Sequence, residues 1–164
     1  MKSKGGGSLH KDRGMSEIRK QIAALSGLAV KAGITEDVGQ NRQEGNENGP
    51  TIAQYAAWNE YGTRDGHIPS RPFIRGWVDS RREEIKATRK QLFTWVTEGK
   101  MDAERAIHLL GEFAQDGIKR YIINGNFEPN AESTKQRKKG SSQPLIDTGT
   151  MRNSVRYQVV KKDD

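Results

Sequence analysis

The sequence predicts an α+β fold, a small and mostly antiparallel sheet from strands near both termini packed against two long helices and a short one. Three observations lead there. Apolar residues alternate near each end of the chain, around Val30 and Ile34 and again at Val155, Tyr157 and Val159. Between these ends, two long stretches repeat apolar residues every three or four positions, the spacing of one helical face. A shorter stretch of the same kind, beginning near Pro50, precedes them. A length of 164 residues suits one domain.

Residues 1–14 are glycine-rich and charged, which predicts a flexible arm ahead of a single domain over residues 15–164. Ser16 is placed to cap a helix whose Ile18, Ile22 and Leu25 share a face, and Gly27 breaks it. Leu28 to Ile34 reads as a strand. Residues 35–49 are polar and rich in Gly and Asn, with no face to bury, which predicts a mobile loop over about 36–49 with hairpin character. Pro50 fits a first helical position, after which Ile52, Tyr55, Ala56 and Asn59 share one face and Gly62 stops the helix. Gly66 to Pro69 is a turn. Pro72 then begins a long helix to about Thr97, with Phe73, Ile74, Trp77, Ile85, Leu92 and Val96 along its stripe. Gly99 ends it and Asp102 caps the next, in which Ala103, Ile107, Leu110, Ala114 and Tyr121 recur. The two are expected to pack antiparallel. Residues 124–145 form a second mobile polar stretch, with one helical turn near Ser133 to Lys138. The turn Asp147-Thr148-Gly149 would aim the last strand, its Asp and Thr accepting backbone N–H bonds and its glycine supplying a permissive backbone.

Composition narrows the function. Hydrophobic residues make up 32% of the chain, a modest supply for a core, which fits apolar surface covered only on assembly. The net charge of +7 fits a polyanion or acidic protein neighbours. There is no cysteine, so disulfides, thiolate metal sites and cysteine nucleophiles are excluded. No run approaches the ~18 apolar residues of a membrane span. The basic N-terminal residues lack the apolar stretch of a signal peptide, so the expected site of synthesis is the cytoplasm.

Few motifs suggest chemistry. Leu145-Ile146-Asp147-Thr148-Gly149 matches the run around an aspartic-protease aspartate, and a homodimer could pair two of them. Only 15 residues follow Gly149, however, too few for the barrel such an enzyme needs, and the turn reading is preferred. His10, His67 and His108 are isolated, and His67 with Asp65 is ordinary loop composition, so no metal or other cofactor is expected. Lys135, Arg137, Lys138 and Lys139 could touch phosphates but, without aromatic neighbours, could not read bases; a solvated loop or a contact with an acidic neighbour is the plainer reading. Around Ile68-Pro69-Ser70-Arg71-Pro72-Phe73 two prolines stiffen the start of the long helix. This is either a rigid helix start with a buried phenylalanine or a turn that presents Arg64 and Arg71 at a subunit interface, where arginine makes bidentate contacts.

Three blocks carry a resemblance to a known family. They are Ala53-Gln-Tyr-Ala-Ala-Trp-Asn-Glu-Tyr-Gly-Thr, then Ile68-Pro-Ser-Arg-Pro-Phe-Ile-Arg before a long helix, then Ser133-Thr, Arg137-Lys-Lys-Gly, Pro144-Leu-Ile-Asp-Thr-Gly, Met151 and Ser154-Val-Arg-Tyr-Gln-Val-Val. In this order, over roughly residues 50–160, the chain resembles the neck or tail-completion proteins of long-tailed double-stranded DNA bacteriophages, also described as minor tail or virion morphogenesis proteins. The glycine-rich arm and the 36–49 loop depart from it. The resemblance implies a non-catalytic virion component in a homo-oligomeric ring at the head–tail joint or the upper end of the tail tube. Its neighbours would be other neck, head-connector or tail-tube proteins, with genomic DNA in the central channel and no membrane. The tail context implies sixfold symmetry. Arg64, Arg71, Phe73 and Arg75 become the expected subunit-interface residues. Lys135, Arg137, Lys138 and Lys139 become a contact for DNA or an acidic partner. The alternative functions are a DNA-packaging accessory protein that binds nucleic acid and, more remotely, the dimeric aspartic protease.

Overall fold

The computed structural model describes residues 14–42, 46–138 and 142–162. The expected arm at 1–14 lies outside this range except for Gly14, and Lys139 also lies outside it. The described residues form a small α+β fold in the order α1 (Met15–Ser26), β1 (Leu28–Ile34), α2 (Glu36–Gly39), α3 (Ile52–Tyr61), α4 (Phe73–Ser80), α5 (Arg82–Thr97), α6 (Ala103–Asn124), α7 (Glu132–Arg137), α8 (Thr150–Asn153) and β2 (Val155–Lys161).

The strands pair antiparallel in a two-stranded sheet, in register from Leu28 opposite Lys161 to Ile34 opposite Val155. Two strands alone are marginal in water. Here α6 packs across both and supplies the missing layer. The contact is close because residue 111 is glycine: a Cβ there would lie 2.1 Å from Tyr157 Cδ2 and 2.7 Å from its Cγ. Tyr157 in turn sets its hydroxyl 3.1 Å from His108 Nδ1. Gly111→Ala should therefore destabilise the fold by about 2 kcal/mol through overpacking, against the gain of about 1 kcal/mol that helix propensity alone would give. Thermal unfolding of the variant checks the sign.

Two clusters make the core. The larger joins Ala56, Phe73, Trp77, Ile118, Ile122, Leu145, Met151 and Val155, drawn from α3, α4, α6, the segment before α8, α8 and β2. The smaller joins Leu92, Val96 and Ala106 of α5 and α6, with Leu25 of α1 packed against it. Helix α1 is half-buried along Ile18, Ile22 and Leu25, the face its spacing predicts. It also helps to cap α6, since Gln21 Oε1 accepts the Ala103 N–H at 2.8 Å. Asp102 caps α6 as expected, its carboxylate accepting the Arg105 N–H at 2.6 Å.

Ser16 does not cap α1, whose N-cap position is Gly14, and four further expectations need correction. The long helix over 72–97 is broken at Arg81 (φ −119°, ψ 18°) into α4 and α5. The break falls where Ser80 turns its hydroxyl back to Trp77 O at 3.1 Å and where charged residues leave no apolar contact between Val78 and Ile85. Before it α4 faces the larger cluster, while beyond it α5 touches that cluster through Ile85 and then faces the smaller one through Leu92 and Val96. Second, Pro50 is not the first helical residue of α3. Thr51 is its N-cap, in a capping box with Gln54. Third, the 36–49 stretch is not without a buried face, because α2 sets Gly39 against α3, where a Cβ would lie 3.2 Å from that of Ala53. Arg42 then bridges antiparallel to Thr51, a hairpin-like contact. A buried glycine has no side chain for a hydropathy pattern to register. Fourth, the polar stretch 124–145 contains anchored residues among those described: Phe127 stands edge-on to Tyr121 at 5.6 Å, and Asn130 Nδ2 donates to Ser142 O at 3.0 Å. Its helical turn, α7, lies where the sequence placed it.

Candidate subunit-interface site

The first two blocks of the resemblance lock together residue by residue. Asn59 O accepts the Arg71 N–H at 2.6 Å, and Asn59 Nδ2 donates to Tyr55 O at 2.8 Å. Glu60, only 4% exposed, receives the Ile74 N–H on Oε2 at 2.9 Å and the Arg75 N–H on Oε1 at 3.0 Å. A carboxylate is suited to this place because the first N–H groups of α4 have no partner within the helix and carry its positive dipole end. Arg75 closes the knot, donating from Nε to Glu60 Oε1 at 3.1 Å and from Nη2 to Glu60 O at 2.8 Å. Gly62 (φ +78°) ends α3 where a Cβ would press within 3.1 Å of Ile68 O and Ser70 N. Thr63 Oγ1 accepts the Ile68 N–H at 2.9 Å.

Arg71 points inward. It is 6% exposed, and its fork donates from Nε to Glu128 O at 2.7 Å and from Nη2 to Pro129 O at 3.0 Å. Burial lowers its pKa, an effect that Tyr55 and Glu128 oppose. Phe73 is fully buried in the larger cluster. Both residues thus serve the fold of the single chain, which corrects their expected place at a subunit interface. The rigid helix start with a buried phenylalanine is the arrangement found. Arg64 remains exposed and the Arg75 side chain is 54% exposed, so these two do reach the surface. Arg75 also stacks 4.8 Å over the ring of Tyr61, which is 68% exposed. With Trp58 at 39% exposure on the same helix, α3 presents two exposed aromatics, and Arg75 of α4 covers one of them.

Tyr61 and Glu60 are the site residues the sequence reading passed over. Glu60 had a signal, for it continues the series Ile52, Ala56, Glu60 at four-residue steps, and a carboxylate on an apolar stripe calls for a partner. Exposure of Tyr61 had no counterpart in the pattern.

The basic cluster is partly engaged. Lys135 pairs with Glu132 at 2.7 Å, and Arg137 Nε donates to Ser133 O at 3.2 Å. Lys138 turns inward, giving its Nζ to Gln143 O at 2.7 Å and Ile146 O at 2.6 Å. Its burial lowers its pKa, and Asp147 partly offsets this. The contribution of Lys138 to stability is therefore largest above the ordinary lysine range and is lost as pH falls through the lowered native value. Urea midpoints measured across the alkaline range should rise with pH in the native chain and rise less in Lys138→Gln.

At the third block Gly149 takes φ +82° just before α8, and Thr148 Oγ1 lies 2.7 Å from Thr150 Oγ1 and 3.4 Å from the Thr150 N–H. Asp147 is exposed. Asp65 accepts the backbone N–H of His67 at 3.1 Å, so their contact is a turn and not a ring-to-carboxylate pair. Among the described residues, no group of three His, Cys, Asp or Glu side chains could hold a metal ion. No helix among them is long and apolar enough to cross a membrane. Comparison of the chain with protein-family models, with curated proteins and with solved structures finds no match.

Proposed function

We propose that this chain is a structural, non-catalytic subunit of a tailed-bacteriophage particle, one of a homo-oligomeric ring at the head–tail joint or the upper end of the tail tube, needed to complete the tail and join it to the head. Its place would be the virion, after assembly in the host cytoplasm. The observation that carries this reading is the convergence of the three resembling blocks. Asn59, Glu60, Gly62 and Thr63 of the first hold the second by named hydrogen bonds or close approach, and Leu145, Met151 and Val155 of the third complete the core around Phe73. These motif residues build a scaffold, which is what a ring subunit requires of them. The scaffold leaves Trp58, Tyr61, Arg64 and Arg75 outward, the residue types that dominate protein–protein contacts.

The DNA-packaging reading is less favoured because Lys138, the centre of its basic cluster, is spent on backbone carbonyls.

Tyr61→Ala with Arg64→Glu tests the proposal. Both side chains are exposed, so the double variant should unfold within about 1 kcal/mol of the native chain. Introduced into a phage that carries the gene, it should lower the yield of joined particles by about tenfold or more, the loss expected when a contact worth roughly 1.4 kcal/mol is removed. An undiminished yield from the folded variant would contradict an interface on this surface.

A further inference from the structure

The edge of β1 away from β2 is unpaired among the described residues and lies in a groove of about 720 Å³ between α1, α5 and α6. Leu28, Ala29 and Val30 all line it. Consecutive strand residues point to opposite faces, so a groove that touches all three meets the strand along its edge. The ladder shows what that edge offers. Lys162 donates its N–H to Gly27 O at 3.0 Å, and Leu28 stands opposite Lys161. Hydrogen-bonded and non-bonded pairs alternate in an antiparallel ladder, so the backbone groups of Leu28 and Val30 point away from β2, toward the groove.

The rest of the groove has two characters. Its floor is apolar, from Leu92 and Phe93 of α5 and Ile107 and Leu110 of α6, and Phe93 is 47% exposed. Its rim is basic, from Lys86, Arg89, Lys90 and Lys162, and none of its lining residues is acidic. Lys86 has only a distant partner, Glu83 at 3.8 Å. Among the described residues Arg89, Lys90 and Lys162 have no carboxylate within ion-pair distance.

We infer that this groove binds an extended segment of another protein, with alternating apolar and acidic side chains, that adds as a strand to the edge of β1. The strand edge supplies main-chain pairing, the floor takes the apolar side chains and the rim neutralises the acidic ones. Charge selects this occupant over the chain's own first 13 residues, which carry Lys2, Lys4, Lys11 and Arg13 against Asp12 alone. Duplex DNA would match the rim but would leave the strand edge and the floor unused. The inference stands on groove geometry and charge, apart from the proposed place of the protein in a phage particle.

Fluorescence anisotropy of the full chain with a labelled peptide of alternating glutamate and valine is the test. Binding should weaken with salt, and it should fall by about tenfold or more with the lysine–valine counterpart, with a backbone N-methylated glutamate–valine peptide, and in Arg89→Glu/Lys90→Glu, whose exposed side chains leave the fold intact. No binding of the glutamate–valine peptide would overturn the inference. Equal binding of the N-methylated peptide would also overturn it, since strand pairing would then contribute nothing. So would a labelled DNA duplex that binds tighter than the peptide and is lost in the same variant.

Discussion

Phe73→Ala should lower the unfolding free energy by about 3–5 kcal/mol, because it removes a ring from a site that cannot easily close. Phe73 is fully buried where α4 meets α6 and the segment ending in Leu145. Trp77, one turn later on the same helix, cannot shift into the gap without losing its seat over Gly117, where a Cβ would lie 2.4 Å from its Nε1. In a chain with 32% hydrophobic residues the loss would be a large share of the total, since whole domains are stable by only about 5–15 kcal/mol. Urea titration followed by tryptophan fluorescence measures it. Phe73→Leu, which keeps most of the volume, should recover most of the stability. A shift below about 1 kcal/mol for the alanine variant would mean that the site collapses freely and that the phenylalanine is not what holds α4.

Arg71→Glu should cost a similar amount, about 3–5 kcal/mol, for an electrostatic reason. It would set a buried carboxylate against the carbonyl oxygens of Glu128 and Pro129, which now accept from the guanidinium. The run before α7 should lose its attachment, so limited proteolysis should cut the variant within residues 126–131 faster than the native chain. Arg71→Lys should be intermediate, since an ammonium keeps the charge but cannot span both carbonyls as a fork. A charge-reversed variant as stable and as resistant as the native chain would show that Arg71 is free to serve an interface. The sequence pointed the other way, placing Arg71 among the expected subunit-interface residues.

That reversal marks what the sequence could and could not yield. Elements set by local physics were legible. The strand over residues 28–34 and the cap at Asp102 follow from period, side-chain chemistry and backbone permissiveness, as does the stop at Gly62, and all are found in place. The break at Arg81 was not legible, because a serine and a charged run equally suit the exposed face of an unbroken helix, and the i-to-i+4 hydrogen bonds from Arg81 to Trp77 and from Ile85 to Arg81 continue through it. Arg71 was misplaced because an arginine between two prolines in a polar turn reads as exposed. Its partners are the backbone carbonyls of Glu128 and Pro129, far along the chain, and backbone acceptors leave no trace in residue type. Glu60 was legible in principle from its place on an apolar stripe. The groove beside β1 was not, because its lining comes from α1, β1, α5, α6 and Lys162, residues far apart in the chain.

Electron microscopy of particles made by a phage whose copy of the gene carries an early stop codon would test the proposed role as a structural ring subunit at the head–tail joint or the upper end of the tail. Filled heads lying beside separate tails, or tails of abnormal length, are the expected result. Intact, normally joined virions would contradict that role.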